Sequence, residues 1–279
     1  MPRNIGLPWL FGSRSGKYGT GSSKRLSGPY ASFLGPGYDP IWTDFDGKGT
    51  KVVPKLNADT QTEKVYDPFG GVEPGGKFGL GDACQLPDGM TRKRFDIRRS
   101  LLEQFDRART SLDSHQNVRV FNKHQQRAYS LLTTSEMREA IDIQREPAKV
   151  RARYGMTLFG QSLLAARRLV EAGARFVMVD YGYDSDYGNV WDNHNAPSQN
   201  HPPIQQMCKR GYHLAGMDRA FAALVSDLEK RGMLERTMVV FLTEFGRTPK
   251  INPRGGRDHW GAAGSIFFTG GGVRGGQVI

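Results

Sequence analysis

The chain has 279 residues, 38% of them hydrophobic, and carries 39 Lys and Arg against 28 Asp and Glu for a formal charge of +11. Counting its 35 Gly with the apolar set gives an ordinary globular composition, which argues against wholesale disorder. Two cysteines, Cys84 and Cys208, exclude a disulfide scaffold and a Cys-rich zinc module, and no run of about 18 apolar residues is present to span a membrane. Net basic charge favours phosphate, sulfate, nucleic acid or anionic surfaces. Here the charge is spread along the chain. Its densest cluster, Arg92 to Arg94 with Arg98 and Arg99, is too short for a nucleic-acid arm and has no zinc-finger, RNP or P-loop pattern beside it. No specific nucleic-acid partner is expected.

Residues 1–95 are rich in Gly, Pro and Ser and poor in periodicity, so they read as an irregular region. That is long for a loop and points to a functional cover or to a segment whose partners lie elsewhere in the fold. The opening residues have no basic stretch followed by an apolar core, so no signal peptide is read there. The Gly-rich stretch Phe11–Ser23 lacks phosphate-loop spacing, because Lys17 is followed by Tyr18, and reads as a surface loop. Phe33–Pro40 reads as successive turns.

Residues 96–173 turn helical. Ile97, Leu101, Leu102, Phe105 and Leu112 share one face, Val118–Leu132 forms a second helical segment, and a third starts at Ser135 with Met137, Ala140 and Ile141 as its apolar stripe. Pro147 suits the first turn of a short helix, where its missing N–H is not needed. Leu158–Ala172 is a further helix, and Gly173 suits the left-handed residue that ends it.

Residues 174–279 read as the α/β portion. Arg175–Asp180 is a short buried strand. Gln205–Lys230 is an amphipathic helix with Leu214, Met217, Phe221, Leu224 and Leu228 on one stripe and Gly232 as its stop. Thr237–Thr243 and Ser265–Thr269 are two more strands. This alternation predicts one α/β domain over 1–279, with the three strands in a single sheet that is largely parallel where helices connect them.

Polar residues collect at the strand ends. Asp180, Asp184 and Asp186, then Trp191–Asn195, follow the first strand. Glu244–Pro249 follow the second, and Gly256–Trp260 precede the third. Ligands of open α/β sheets bind beyond the carboxyl ends of strands, so these groups are expected in one crevice. Asp192 and His194, two apart in an extended segment, point to one side. With His259 they make three ligands and leave a position open, as in a catalytic zinc-type site. Glu244 offers a hard oxygen, and Arg247 a planar fork for phosphate or sulfate, brought over the crevice by a tight turn at Gly246. Asp258 is expected to orient His259 or to pair with an Arg. Singly, each has an ordinary alternative: a capping Asp beside a surface His, a structural turn His, a Glu244–Arg247 ion pair. His115, His124, His201 and His213 read as structural or solvated.

The segments Glu244–Pro249, Gly256–Trp260 and Gly270–Ile279 closely resemble the carboxyl-terminal part of the DUF1501 family. The resemblance extends through Trp191–His194, Arg145–Arg151, Phe159–Ser162, Ala165–Gly173 and Phe33–Pro40, which is nearly the whole chain. It implies an alkaline-phosphatase-like, sulfatase-related fold: a mostly parallel sheet flanked by helices, here incomplete at the amino end. It also implies a metal centre that hydrolyses phosphate or sulfate esters, with Asp192, His194 and His259 as ligands of one metal and Glu244 as a ligand of the same or a second metal. The hydrolase reading adds Arg247 as the catalytic residue, a divalent zinc, calcium or manganese ion as cofactor, and an anionic ester as substrate. The first strand of such proteins, with its own metal-binding Asp, is expected upstream of Phe33–Pro40, so the chain is expected to be part of a longer protein whose relatives resemble exported ones. The superfamily often has Asp-His where Glu244 and Phe245 stand, and the family's usual Trp-Asp-Thr-His has Asn193 in place of Thr. The leading expectation is a metal-dependent hydrolase. Its rival is a non-catalytic or truncated binding protein that keeps the scaffold.

Overall fold

The computed structural model describes residues 4–7, 34, 38, 40–57, 60–80, 89–91, 93–94, 96–98, 100, 135–181, 183–184, 188–189, 191–195, 202–243 and 245–278. They form β1 (Asn4–Leu7), β2 (Ile41–Trp42), β3 (Asp44–Asp46), β4 (Gly49–Asn57), β5 (Thr60–Val72) and β6 (Lys77–Gly79). The helices α1 (Ser135–Ile141), α2 (Ala148–Tyr154) and α3 (Leu158–Glu171) follow, then β7 (Phe176–Val179), β8 (Tyr183–Asp184) and β9 (Gly188–Asn189). Next come α4 (Ile204–Met207), α5 (Leu214–Lys230), β10 (Met238–Phe241), β11 (Gly246–Arg247), β12 (His259–Trp260) and β13 (Phe267–Gly270). The Val118–Leu132 segment lies outside the described residues. None of the described helices is long and apolar enough to cross a membrane.

The core is built on α3. Thr157 caps it, its hydroxyl accepting the Gly160 N–H at 3.1 Å. Gly173, at φ 100°, ends it in the left-handed conformation expected from the sequence. Leu158, Leu164, Ala165 and Leu169 are fully buried, and Met137, Ala140 and Ile141 of α1 and Leu224 and Leu228 of α5 belong to the same core. Within this apolar setting Arg167 is only 1% exposed. Its guanidinium lies 2.8 Å from Glu146, 2.6 Å from Glu171 and 3.1 Å from Asp227. The Tyr154 hydroxyl donates to Asp227 at 2.8 Å. A buried cation is tolerable only when surrounded in this way, and the same contacts tie α2, α3 and α5 together. Burial alone would raise the Asp227 carboxyl's pKa. Tyr154, Arg167 and Arg231 outweigh it and hold the group below the usual carboxylate range.

Beside the helices lies a parallel sheet in the order β2-β1-β7, with Ile5 opposite both Ile41 and Val177. The architecture is therefore mixed α/β with a small parallel sheet and helices. It differs from the sequence expectation in three respects. The described parts of 1–95 are not irregular: β1 is the central strand of the parallel sheet, with Ile5 and Leu7 fully buried, and β4 and β5 form a long antiparallel hairpin. Pro54, Pro68 and the many glycines hide the strand pattern, since Pro and Gly weaken a strand reading without forbidding edge or bulged pairing. The three predicted strands also do not share a sheet. β10 pairs antiparallel with β13, apart from β7. Among the described residues no helix lies between β10 and β13, and a parallel return needs a crossover, which accounts for their antiparallel pairing. Third, the predicted Gln205–Lys230 helix is broken between Met207 and Leu214, and Leu214 is 48% exposed.

Candidate metal centre

The chain leaving β7 is fixed by rings. Tyr181 stacks on Phe159 of α3 with centroids 4.1 Å apart and meets Trp191 edge-on at 5.4 Å. Trp191 in turn meets the buried His213 edge-on at 5.1 Å. This anchors residues 191–195 to the helical core. The next residue but one, Asn193, is buried too, and its side-chain oxygen accepts the Arg257 N–H at 3.3 Å. With Trp191 and Asn193 held inward, Asp192 and His194 remain half-exposed.

The second wall is a short antiparallel pair, β11 with β12, in which Arg247 stands opposite His259. Directly opposed residues project to the same face, so one hairpin delivers a guanidinium and an imidazole together. Gly246 is therefore part of a strand pair rather than the tight turn expected from sequence. Its amide donates to the Ala263 carbonyl, and a Cβ there would collide with that oxygen.

The two walls meet at one atom. Asp192 Oδ1 lies 2.7 Å from His194 Nδ1, 2.9 Å from Arg247 Nη2 and 3.4 Å from His259 Nε2. The two imidazole nitrogens are 3.1 Å apart. Ligands at about 2.0–2.1 Å around a tetrahedral ion are spaced about 3.3–3.4 Å apart. The Asp192–His194–His259 triangle thus already has nearly the size of one face of such a site, and its two nitrogens and one oxygen are a zinc-type donor set. Burial raises the Asp192 carboxyl's pKa. The hydrogen bonds of His194 and Arg247, and the charge of Arg247, outweigh it and hold the group well below the usual carboxylate range.

Asn252, which sequence reading passed over, clamps the walls. Its amide nitrogen donates to the His194 carbonyl and to Asp258 Oδ1, both at 2.8 Å. Its oxygen accepts the Arg254 and Gly256 N–H groups at 3.0 and 3.1 Å. Gly256 packs so closely that a Cβ would run into the Asn193 carbonyl. The only sequence hint is the turn composition of Asn252, Pro253, Gly255 and Gly256. Asp258 does not take the place expected of it: its carboxylate partners Asn252, so it acts on the site through that clamp. Glu244 lies outside the described residues. His213 is structural, as read from sequence.

Fold and site together define a class: a mixed α/β protein with an Asp-His-His cluster of a size that could hold a metal ion and an adjoining arginine. The model of the DUF1501 family, described as a protein of unknown function, matches residues 28–279, and the chain belongs to that family. No curated protein and no solved structure matches the chain.

Proposed function

We propose that the protein is a metal-dependent hydrolase of phosphate or sulfate esters, with an alkaline-phosphatase-like, sulfatase-related architecture. The observation that carries this is the convergence of Asp192, His194 and His259, with Arg247 on the same carboxylate oxygen. The parallel strands beside a helical core, and the position of Asp192 and His194 on the chain leaving β7, support the architectural part.

Asp192 Oδ1, His194 Nδ1 and His259 Nε2 would hold a divalent zinc, manganese or calcium ion, with Glu244 as a further oxygen donor. Such an ion supplies Lewis acidity toward an ester oxygen and lowers the pKa of bound water. Arg247 binds the ester's anionic oxygens through its planar fork and stabilises charge that grows there. Phe245, with its ring centroid 4.4 Å from that of His259 and 5.5 Å from the Arg247 guanidinium carbon, shields both groups on one side.

One observation favours a second reading, a non-catalytic metal-binding protein. The Arg247 fork is engaged by the protein itself, Nη1 donating to the Arg257 carbonyl at 3.1 Å and Nη2 to Asp192. Turnover separates the two. Aryl phosphate and aryl sulfate are offered with zinc, manganese or calcium. Hydrolysis that needs the metal and disappears in Asp192→Asn supports the hydrolase. Absence of turnover with every metal, in protein shown to bind one, overturns it in favour of the binding protein.

A further inference from the structure

We infer that Arg247 is a gate that makes metal and oxyanion binding cooperative: a tetrahedral dianion draws Arg247 off Asp192 and thereby strengthens the cation site. This rests on the metal-site reading above and concerns how that site is regulated.

The geometry creates a competition. Asp192 Oδ1 is the oxygen that closes the ligand triangle, and it is also the acceptor of Arg247 Nη2 at 2.9 Å. A carboxylate oxygen shared with a guanidinium donates less electron density to a cation. A divalent ion there also stands close to a fixed positive charge, and like charges at such range oppose one another. Arg247 cannot simply leave, because Nη1 is held by the Arg257 carbonyl, and the Arg257 guanidinium in turn grips the Arg247 and Thr248 carbonyls. The clasp keeps the Arg247 stem at the site while its outer nitrogen is free to exchange partners.

Arg247 and Asp192 are about a fifth and a quarter exposed, so solvent anions reach them. A sulfate or phosphate group offers Nη2 a partner of higher charge than one carboxylate oxygen. Accepting Nη2, it releases Asp192 Oδ1 to the cation and screens the repulsion between the two positive centres. By linkage the effect is reciprocal: the cation tightens the anion by the same factor. The protein would then hold the cation more tightly when the anion is present.

The test is zinc binding to the full chain, measured by competition with a chromophoric chelator, in sodium sulfate or methylphosphonate and in sodium chloride of equal ionic strength. The zinc Kd of the wild type is expected to fall at least about fivefold in either dianion, the lower end of ordinary coupling. A response to only one of the two assigns the anion as sulfate-like or phosphoryl-like. Arg247→Met, which removes the charge and keeps the stem, is expected to bind zinc at least as tightly in chloride and to lose the dianion response. Zinc binding that ignores both dianions, or a response that survives in Arg247→Met, overturns the gate and leaves the metal site standing. Zinc binding that is absent in the wild type, or unchanged in Asp192→Asn, overturns the metal site and the gate together. The two wild-type titrations decide the coupling even where the variant does not fold.

Discussion

Replacing Asn252 by Ala removes the clamp without touching a ligand. The side chain makes four hydrogen bonds, of which those to the His194 carbonyl and from the Gly256 N–H are partly buried and the other two are exposed. Water substitutes for the exposed pair. The partly buried pair contributes about 0.5–1.5 kcal/mol per bond, so the loss is about 1–3 kcal/mol. It should fall on the alignment of His194 with His259 rather than on the α3 core, because the hydrogen bonds of residues 252–258 run to residues 193–194, 247–248 and the start of α4 and not to α3. Zinc affinity is therefore expected to drop roughly 5- to 150-fold, and the Gly256 amide should exchange hydrogen faster, while the main unfolding transition moves little. Asn252→Asp keeps both acceptor contacts but sets an oxygen against the His194 carbonyl and Asp258, so it should not restore the zinc affinity lost in Asn252→Ala. Unchanged zinc affinity together with unchanged Gly256 exchange in Asn252→Ala would refute the clamp.

Arg167→Met leaves Glu146 and Asp227, both less than a tenth exposed, without their shared cation. Glu146 keeps Arg168, and Asp227 keeps Arg153 and Arg231, so denaturant unfolding should show a loss of about 1.5–3 kcal/mol, that of hydrogen bonds to charged groups, and a loss below about 1 kcal/mol would contradict the role given to this cluster. The Asp227 and Glu146 pKa values are both lowered in the folded chain. Their contribution is therefore complete above the unfolded values near about 4 and is lost as pH falls through the folded ones. Thermal stability should decline with acidification below about pH 5, and Asp227→Asn should flatten that decline. Gly256→Ala forces a methyl against the Asn193 carbonyl and should cost about 1–3 kcal/mol. It should also weaken zinc binding, and a variant indistinguishable from wild type would show that the walls are not in contact there.

The convergence of Asp192, His194 and His259 was legible because the chemistry was carried by residue type. The segment is not extended as expected: His194 lies in a turn, where its own N–H and ring both reach Asp192 Oδ1, and His259 sat in a separate polar stretch beside a strand. The helices at 135–171 were legible from their apolar stripes and from Gly173. The pairing of Arg247 with His259 was hidden, since a two-residue ladder leaves no period to read and Gly246 reads as a turn. Asn252 was hidden for a related reason: it works through backbone groups brought near only by the fold. The partition of β7 and β10 into different sheets was hidden because apolar strand sequences are the same in either arrangement. β1 was missed because Gly6 interrupts its apolar residues and Asn4 and Pro8 flank them, whereas β7 and β10, of the same length, are unbroken apolar runs.

The most direct test of the central claim is metal stoichiometry. The purified chain is equilibrated with zinc, freed of unbound ion, and analysed for metal and protein by elemental mass spectrometry beside Asp192→Asn and His259→Gln. Tightly held zinc is expected in the wild type and a large loss in both variants, with the fold of each intact by circular dichroism. Wild-type protein with no metal above background, or folded variants that hold as much as wild type, would contradict it.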